Sequence, residues 1–86
     1  MAQDEMTARA MLVQTQYTDQ LMRKAHVMGV AVGLAQKGGV MTDKVALVIL
    51  VDQKLPPEAL SADDLVPEEL DGVECDVQEI GFIAAQ

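Results

Sequence analysis

The fold of this chain follows from residues 27–52, which read VMGVAVGLAQKGGVMTDKVALVILVD. Residues 28–35 alternate large apolar side chains with glycine and alanine, and the chain is apolar throughout from residue 45 to residue 51. Alternation is typical of a strand, and a short continuous apolar run suits a strand that is buried on both faces. Between them, Gly38 and Gly39 can supply the positive φ angles of a turn. The pattern predicts a β-hairpin with strands at 28–35 and 44–51.

The two faces of the first predicted strand differ in side-chain size. The large side chains of residues 28, 30, 32 and 34 share one face, which we expect to pack on the core. The opposite face carries Gly29, Ala31 and Gly33, and we expect a helix or another backbone to approach it closely. These three residues are therefore predicted to form part of an interaction surface.

An amphipathic helix is predicted before the hairpin, over residues 6–26. Apolar side chains at positions 10, 13, 17, 21, 25 and 28 follow one another by three or four, which places them on one helical stripe that should cover one face of the hairpin. Arg23, Lys24 and His26 fall in the predicted last turn, where positive charge meets the negative end of the helix dipole.

Further apolar side chains widen this stripe, and the alternative to a helix on the hairpin is a helix that packs on another chain. These side chains are Met6, Met11, Leu12 and Met22. We select Met11 and Met22 as candidate contact residues.

Residues 52–72 form an acidic, proline-containing connection. Ser61 is followed by two aspartates and predicts the cap of a single helical turn, and a second turn is predicted at Pro67. The connection is long enough to cross over, so the third strand, predicted at 73–82, need not run antiparallel to the second.

The length of 86 residues predicts one domain over residues 1–86. Its fold class is α+β, with an N-terminal amphipathic helix packed on a small sheet of about three strands, the hairpin plus a C-terminal strand. Half of the residues are apolar, which is more than one small core readily hides. We therefore expect contacts with other chains, and a homo-oligomer in particular.

Charge is divided unevenly along the chain, whose net charge is −8. All six bases lie at or before Lys54, and nine of the fourteen acids follow it. Nucleic acid is an unsuitable partner, because phosphates need a basic surface. Either the acids only keep the domain in solution, or they meet basic residues of a neighbouring copy. The candidate residues for such pairing are Arg23, Lys24, Asp63, Asp64, Glu68 and Glu69.

No catalytic, cofactor or metal site is predicted. Ser61, His26 and Cys75 are the only residues of their types, and no motif surrounds any of them. We expect a cap at Ser61, a dipole contact at His26 and a small apolar filler at Cys75. The acids of the connection do not follow the spacing of a calcium-binding loop.

No targeting segment is predicted, because the N-terminus is acidic and no apolar segment follows it. The longest apolar run has seven residues, far fewer than the ~20 that a membrane-spanning helix needs. A lone cysteine excludes an internal disulfide. These features favour a cytoplasmic protein with no membrane contact.

Several short blocks, in order, resemble one known module. They are MGVAVGL from Met28, KGG from Lys37, TDKVALVILV from Thr42, KLPP from Lys54, DLVPEELDGV from Asp64 and DVQEIG from Asp76. The chain is similar, over about residues 27–83, to the N-terminal module that precedes the peptidase body of bacterial trypsin-like and plant narrow-leaf-type serine peptidases. In those proteins the catalytic triad belongs to the peptidase body. The resemblance therefore implies a freestanding module that works through contacts, with no catalytic residue carried over.

Two functions are consistent with these features. The first is a non-enzymatic protein-interaction and self-assembly module that forms homo-oligomers or filaments; if charge pairing drives assembly, high salt should weaken it. The alternative is a regulator, an inhibitor or pro-region-like partner, of a separately encoded trypsin-like serine peptidase.

Overall fold

The computed structural model describes residues 3–80. Its helix and strands are α1 (Gln3–Met22), β1 (Val27–Lys37), β2 (Val40–Val51), β3 (Glu69–Leu70) and β4 (Val73–Glu79). Two 3₁₀ turns, Pro57–Ala59 and Ala62–Asp64, lie in the connection between β2 and β3. The chain is therefore α+β, as predicted.

The strands form one mixed sheet in the order β1-β2-β4-β3. β1 and β2 pair antiparallel, which confirms the hairpin, and both strands extend to a turn where Gly38 and Gly39 have φ angles of 59° and 81°. β4 pairs parallel to β2, so the connection crosses over. The short β3 pairs antiparallel to β4 and adds a fourth strand to the predicted three; two residues are too few for a periodic signal.

α1 covers one face of the sheet. Ala10, Val13 and Leu21 of α1 are almost completely buried and belong to one core with Leu47 and Ile49 of β2, which are fully buried. β2 lies between two other strands, and its alternate residues are buried on the opposite face as well. This position explains why its sequence is apolar without alternation.

α1 ends at Met22, four residues before the predicted end, and no basic residue lies in its last turn. The predicted dipole contact was therefore wrong for Arg23, Lys24 and His26. The backbone of His26 has a φ of 71°, a left-handed conformation that a helix does not accommodate. Ala25 and Met28, predicted on the buried stripe, are exposed because the stripe ends with the helix.

Side chains of β2 lie over the small-residue face of β1. A Cβ atom at Gly33 would lie 3.3 Å from Val48 Cγ2, and one at Gly29 would lie 3.6 Å from Leu50 Cδ1. The sequence predicted that a helix or another backbone would pack closely on Gly29 and Gly33. Within this chain, the side chains of Val48 and Leu50 occupy that position instead.

The end of the hairpin curves over the same face. The Gln36 N–H donates a hydrogen bond of 2.8 Å to the Asp76 carboxylate of β4, although β2 lies between β1 and β4. Strands two positions apart in a flat sheet would be about 9.5 Å apart. The sheet therefore bends strongly at this end, which small side chains on the inner face of the bend permit.

The connection only partly follows its prediction. A helical turn after Ser61 is confirmed, although the Ser61 hydroxyl donates to the Asp64 carboxylate at 2.9 Å and makes no capping bond to the backbone. The turn predicted at Pro67 was wrong, because the chain forms β3 there. The predicted strand 73–82 begins at its expected residue and ends as β4 at Glu79, and its last two residues lie outside the described residues.

Candidate functional site

The predicted interaction residues lie on three parts of the surface. Two are on α1 and three are on β1. The charged ones lie in the turn after α1 and in the connection, except for Glu69, which lies in β3. In that order they are Met11 and Met22; Gly29, Ala31 and Gly33; and Arg23, Lys24, Asp63, Asp64, Glu68 and Glu69.

The outer face of α1 exposes large apolar side chains. Met11 is 55% exposed and Leu12 is 66% exposed, and Met22 at the helix end is 43% exposed. The inner face of the same helix packs on the sheet, and these side chains of the outer face are left exposed by the part of the chain that the structure describes. Exposed apolar side chains that adjoin one another are typical of surfaces that contact another molecule.

The turn between β3 and β4 fixes one side of α1. The Tyr17 hydroxyl donates to the Asp71 carboxylate at 3.3 Å, and the Arg9 guanidinium donates to the Asp71 carbonyl oxygen, also at 3.3 Å. The negative charge of Asp71 raises the pKa of Tyr17. A broad hollow of about 780 Å³ lies between this turn and the helix, beside Leu12.

Some of the candidate charged residues form hydrogen bonds within the chain, although none of them forms an ion pair in the described residues. The Lys24 ammonium donates to the Asp63 carbonyl oxygen at 2.7 Å, and the Ala25 N–H donates to the Asp64 carboxylate at 2.8 Å. The bond from Ala25, together with the one from Ser61, lowers the pKa of Asp64. These contacts hold the turn after α1 against the connection.

Two lysines at the end of the hairpin share one carboxylate. Lys37 and Lys44 both form ion pairs with Glu74 of β4, with a separation of 3.4 Å for Lys44. The bond from Lys37 lowers the pKa of Glu74 and raises the pKa of the lysine. Four of the six bases, Arg9 and Lys24 included, are therefore bonded inside the chain. This reduces the positive charge available to neighbouring copies.

The side chains with catalytic potential do not form a relay in the described part of the chain. The Ser61 hydroxyl bonds Asp64, whereas His26 Nδ1 bonds a different carboxylate, Asp52, at 2.9 Å. Cys75 is partly buried in β4, and burial, followed by the charges of neighbouring glutamates, raises the pKa of its thiol to about 11. Activated cysteines have a lowered pKa, so this environment opposes a nucleophilic role.

A crevice of about 220 Å³ opens between the turn after α1 and the connection. Its polar lining includes His26, Lys54 and Asp64. Its apolar lining includes Val27, Val51, Leu55, Leu60, Leu65 and Val77. Sites for drug-sized ligands usually measure 300–1,000 Å³, so this crevice suits one large side chain.

The sequence prediction did not include this crevice. Leucines recur at every fifth position of the connection, at residues 55, 60, 65 and 70, and the first three of them line the crevice. This repeat is the signal that could have identified its wall.

The exposed edge of β1 is partly occupied by the chain itself. Gln14 Nε2 donates to the Val30 carbonyl oxygen at 2.8 Å, and Gln78 Nε2 donates to the Leu34 carbonyl oxygen at 3.3 Å. Together with the bond from Gln36, these contacts use backbone groups that an added strand would need. A strand added at this edge of β1 would therefore have to displace these hydrogen bonds.

Residues 3–80 contain no helix that is long and apolar enough to cross a membrane. In the same residues, no three His, Cys, Asp or Glu side chains converge as a metal ion would require.

The sequence matches one known domain family along almost its whole length. No curated protein matches it. The match is to the family described as the NARROW LEAF 1 N-terminal domain, and it spans residues 3–80, which include α1 and all four strands. This supports the narrow-leaf part of the resemblance noted in the sequence. The chain belongs to the NARROW LEAF 1 N-terminal domain family.

Proposed function

We propose that this chain is a non-enzymatic protein-interaction module that associates with copies of itself through the outer face of α1. The observation that carries this proposal is the adjacent pair Met11 and Leu12, each more than half exposed on a helix whose other face is committed to the core. Burial of a large apolar side chain on association is favourable by about 1.5–3 kcal/mol.

The net charge of each copy is expected to oppose this association. The net charge of −8 makes copies repel one another, and four of the six bases are bonded within the chain. At an ionic strength of about 0.1 M or more, salt screens the repulsion between exposed charges that lie more than about 10 Å apart. We therefore expect the assembly to persist or grow at high salt, which is the opposite of what charge-driven assembly would show.

The test is the molar mass in solution, measured by size-exclusion chromatography with light scattering at low and high salt. We expect a mass well above the 9.3 kDa of one chain. The double variant Met11→Gln, Leu12→Gln should return the mass to that of one chain. The matched control is Val40→Gln, Met41→Gln, which changes two apolar residues that are more than half exposed at the distant end of the hairpin and should assemble normally. A wild-type mass of one chain at every concentration contradicts the proposal.

A second candidate partner is a separately encoded trypsin-like serine peptidase, which this chain would inhibit or assist. Support comes from the family description, which identifies this fold as an N-terminal domain, and from the resemblance to modules that precede a peptidase body. The test mixes the chain with such a peptidase from the same source and measures both co-elution and the rate of peptide hydrolysis. Neither binding nor a change in rate would exclude this partner.

The cytoplasm is the proposed location. The support is the free, partly buried thiol of Cys75, since reducing compartments keep thiols free. A fluorescent fusion in the source cells tests this placement.

A further inference from the structure

The crevice and the outer face of α1 complement each other in shape and charge. We infer that copies associate head to tail, with Leu12 of one copy inserted into the crevice of the next. This inference rests on the self-association proposed above, and it adds the surface that receives the helix.

The sizes of the two surfaces agree. Leu12, at 66% exposed, is the most exposed large apolar side chain of α1. The crevice, at about 220 Å³, has room for one such side chain, and several of its lining residues are apolar. Insertion of the Leu12 side chain into this apolar crevice would remove apolar surface from water, which favours binding between the two copies.

The charges around the two surfaces also agree. Glu5 and Asp19 lie seven residues before and after Leu12, so all three share one face of α1, with each carboxylate about 10.5 Å along the axis from the leucine. Both acids are exposed, and neither forms an ion pair in the described residues.

The crevice supplies an available positive charge. The Lys54 ammonium has no bonded partner in residues 3–80, while its backbone N–H is anchored to the Glu79 carboxylate at 2.7 Å. The nearby carboxylate of Asp64 is already bonded to the Ala25 N–H and the Ser61 hydroxyl. Lys54 is thus placed to meet Glu5 or Asp19 of the neighbouring copy.

The two surfaces are separate on one copy. The residues around Leu12 and the residues that line the crevice have no member in common. A contact between different surfaces leaves one of each kind free on every pair, so further copies can add. This arrangement predicts a ring or an open filament instead of a closed symmetric dimer.

The test uses two variants that each remove one half of the contact. Leu12→Glu should block the inserted side chain, and Leu65→Glu should block the crevice at a residue that is 39% exposed and therefore tolerant of change. Each variant alone should be monomeric, with its dissociation constant raised at least about thirtyfold. Mixed together, they should form a one-to-one dimer, because one intact leucine and one intact crevice remain. The matched control Met41→Glu changes a residue that is 54% exposed at the hairpin end and should assemble as wild type does.

The outcomes separate this inference from the proposal on which it rests. A monomeric wild-type chain contradicts self-association itself. A wild type that assembles, with Leu65→Glu assembling equally well, overturns only the crevice. A mixture that stays monomeric overturns head-to-tail contact. All masses are measured by light scattering, with circular dichroism to show that each variant is folded.

A charge reversal gives a second test that does not disturb the apolar wall. Lys54→Glu lies on the surface and should weaken assembly at low salt. Addition of Glu5→Lys and Asp19→Lys to the same chain should restore it. No restoration would overturn the assigned orientation.

Discussion

At the scale of single residues, Gly29 and Gly33 form a matched pair that measures how closely β2 packs over β1. Gly33→Ala places a methyl group 3.3 Å from Val48 Cγ2, so the neighbour must shift, whereas Gly29→Ala makes an ordinary contact of 3.6 Å with Leu50 Cδ1. We expect the first change to lower the free energy of unfolding by about 1 kcal/mol.

The second change should leave that free energy unchanged or raise it by up to about 1 kcal/mol, because alanine restricts the unfolded chain more than glycine does. Urea unfolding followed by circular dichroism measures both variants. Equal effects at the two positions would contradict the closer approach at Gly33.

The thiol of Cys75 provides a second residue-scale prediction. With a pKa of about 11, the folded protein holds about one hundredth or less of the thiolate that an ordinary cysteine, with a pKa of about 8.5, holds at pH 8. Alkylation by iodoacetamide should therefore be slow and should keep accelerating as the pH rises toward 11. The urea-unfolded chain is the control and should react at the ordinary rate. A rate that levels off near pH 9 in the folded protein would contradict the raised pKa.

At the scale of elements, the attachment of α1 to the sheet depends on its buried stripe. Leu21 is 3% exposed and its neighbour Met22 is 43% exposed. Leu21→Ala should lower the free energy of unfolding by about 2–5 kcal/mol, because it removes core contacts and leaves a cavity. Met22→Ala should change it by about 0.5 kcal/mol or less. Thermal and urea unfolding of the two variants give the comparison, and similar losses would show that the helix is not docked as described.

The elements also show how far local sequence signals reach. The helix, the hairpin and the last strand were predictable, because each shows its own period of apolar residues. The end of α1 was not, since the apolar period continues through Ala25 and Met28. The turn that ends it is held by Asp64, 39 residues away from Ala25. The sequence near Met22 contains no pattern that predicts a contact with Asp64.

The order of the strands in the sheet could not be predicted from local sequence patterns either. The apolar run of β2 indicates burial on both faces, but it does not say which strand lies at its second edge. Parallel pairing with β4 depends on the path of the crossing connection. For the candidate site, exposed Met11 followed from the helical period. The crevice did not, because its lining comes from β1, β2, β4 and the connection.

At the scale of the whole molecule, stability should fall in acid through carboxylates whose pKa is lowered by folding. Asp64 and Glu74 both have a lowered pKa. A lowered pKa means that the contribution is fully present above the ordinary value of about 4 and is lost as the pH falls through the lower, folded value.

We therefore expect the urea midpoint to decline below about pH 4.5. The variants Asp64→Asn and Glu74→Gln should be less stable than wild type at pH 7. Their urea midpoints should fall less than that of wild type when the pH is lowered. Glu68→Gln changes an exposed acid with no side-chain bond in the described residues and serves as the control. A decline as steep in the two variants as in wild type would contradict these assignments.

The parallel pairing of β2 with β4 has a consequence during synthesis of the chain. The first edge of β2 can pair with β1 as soon as the hairpin has been made, within about 1–10 μs. Its second edge waits for residues 52–79, a further 28 residues. At about 5–20 residues per second on the ribosome, that wait lasts roughly 1.4–6 s. This wait is about five to seven orders of magnitude longer than the hairpin needs to form, and throughout it the nascent chain presents an unpaired apolar strand edge. The risk that the nascent chain associates wrongly is therefore greatest while residues 52–79 are being translated. A chaperone would be of most use in the same period.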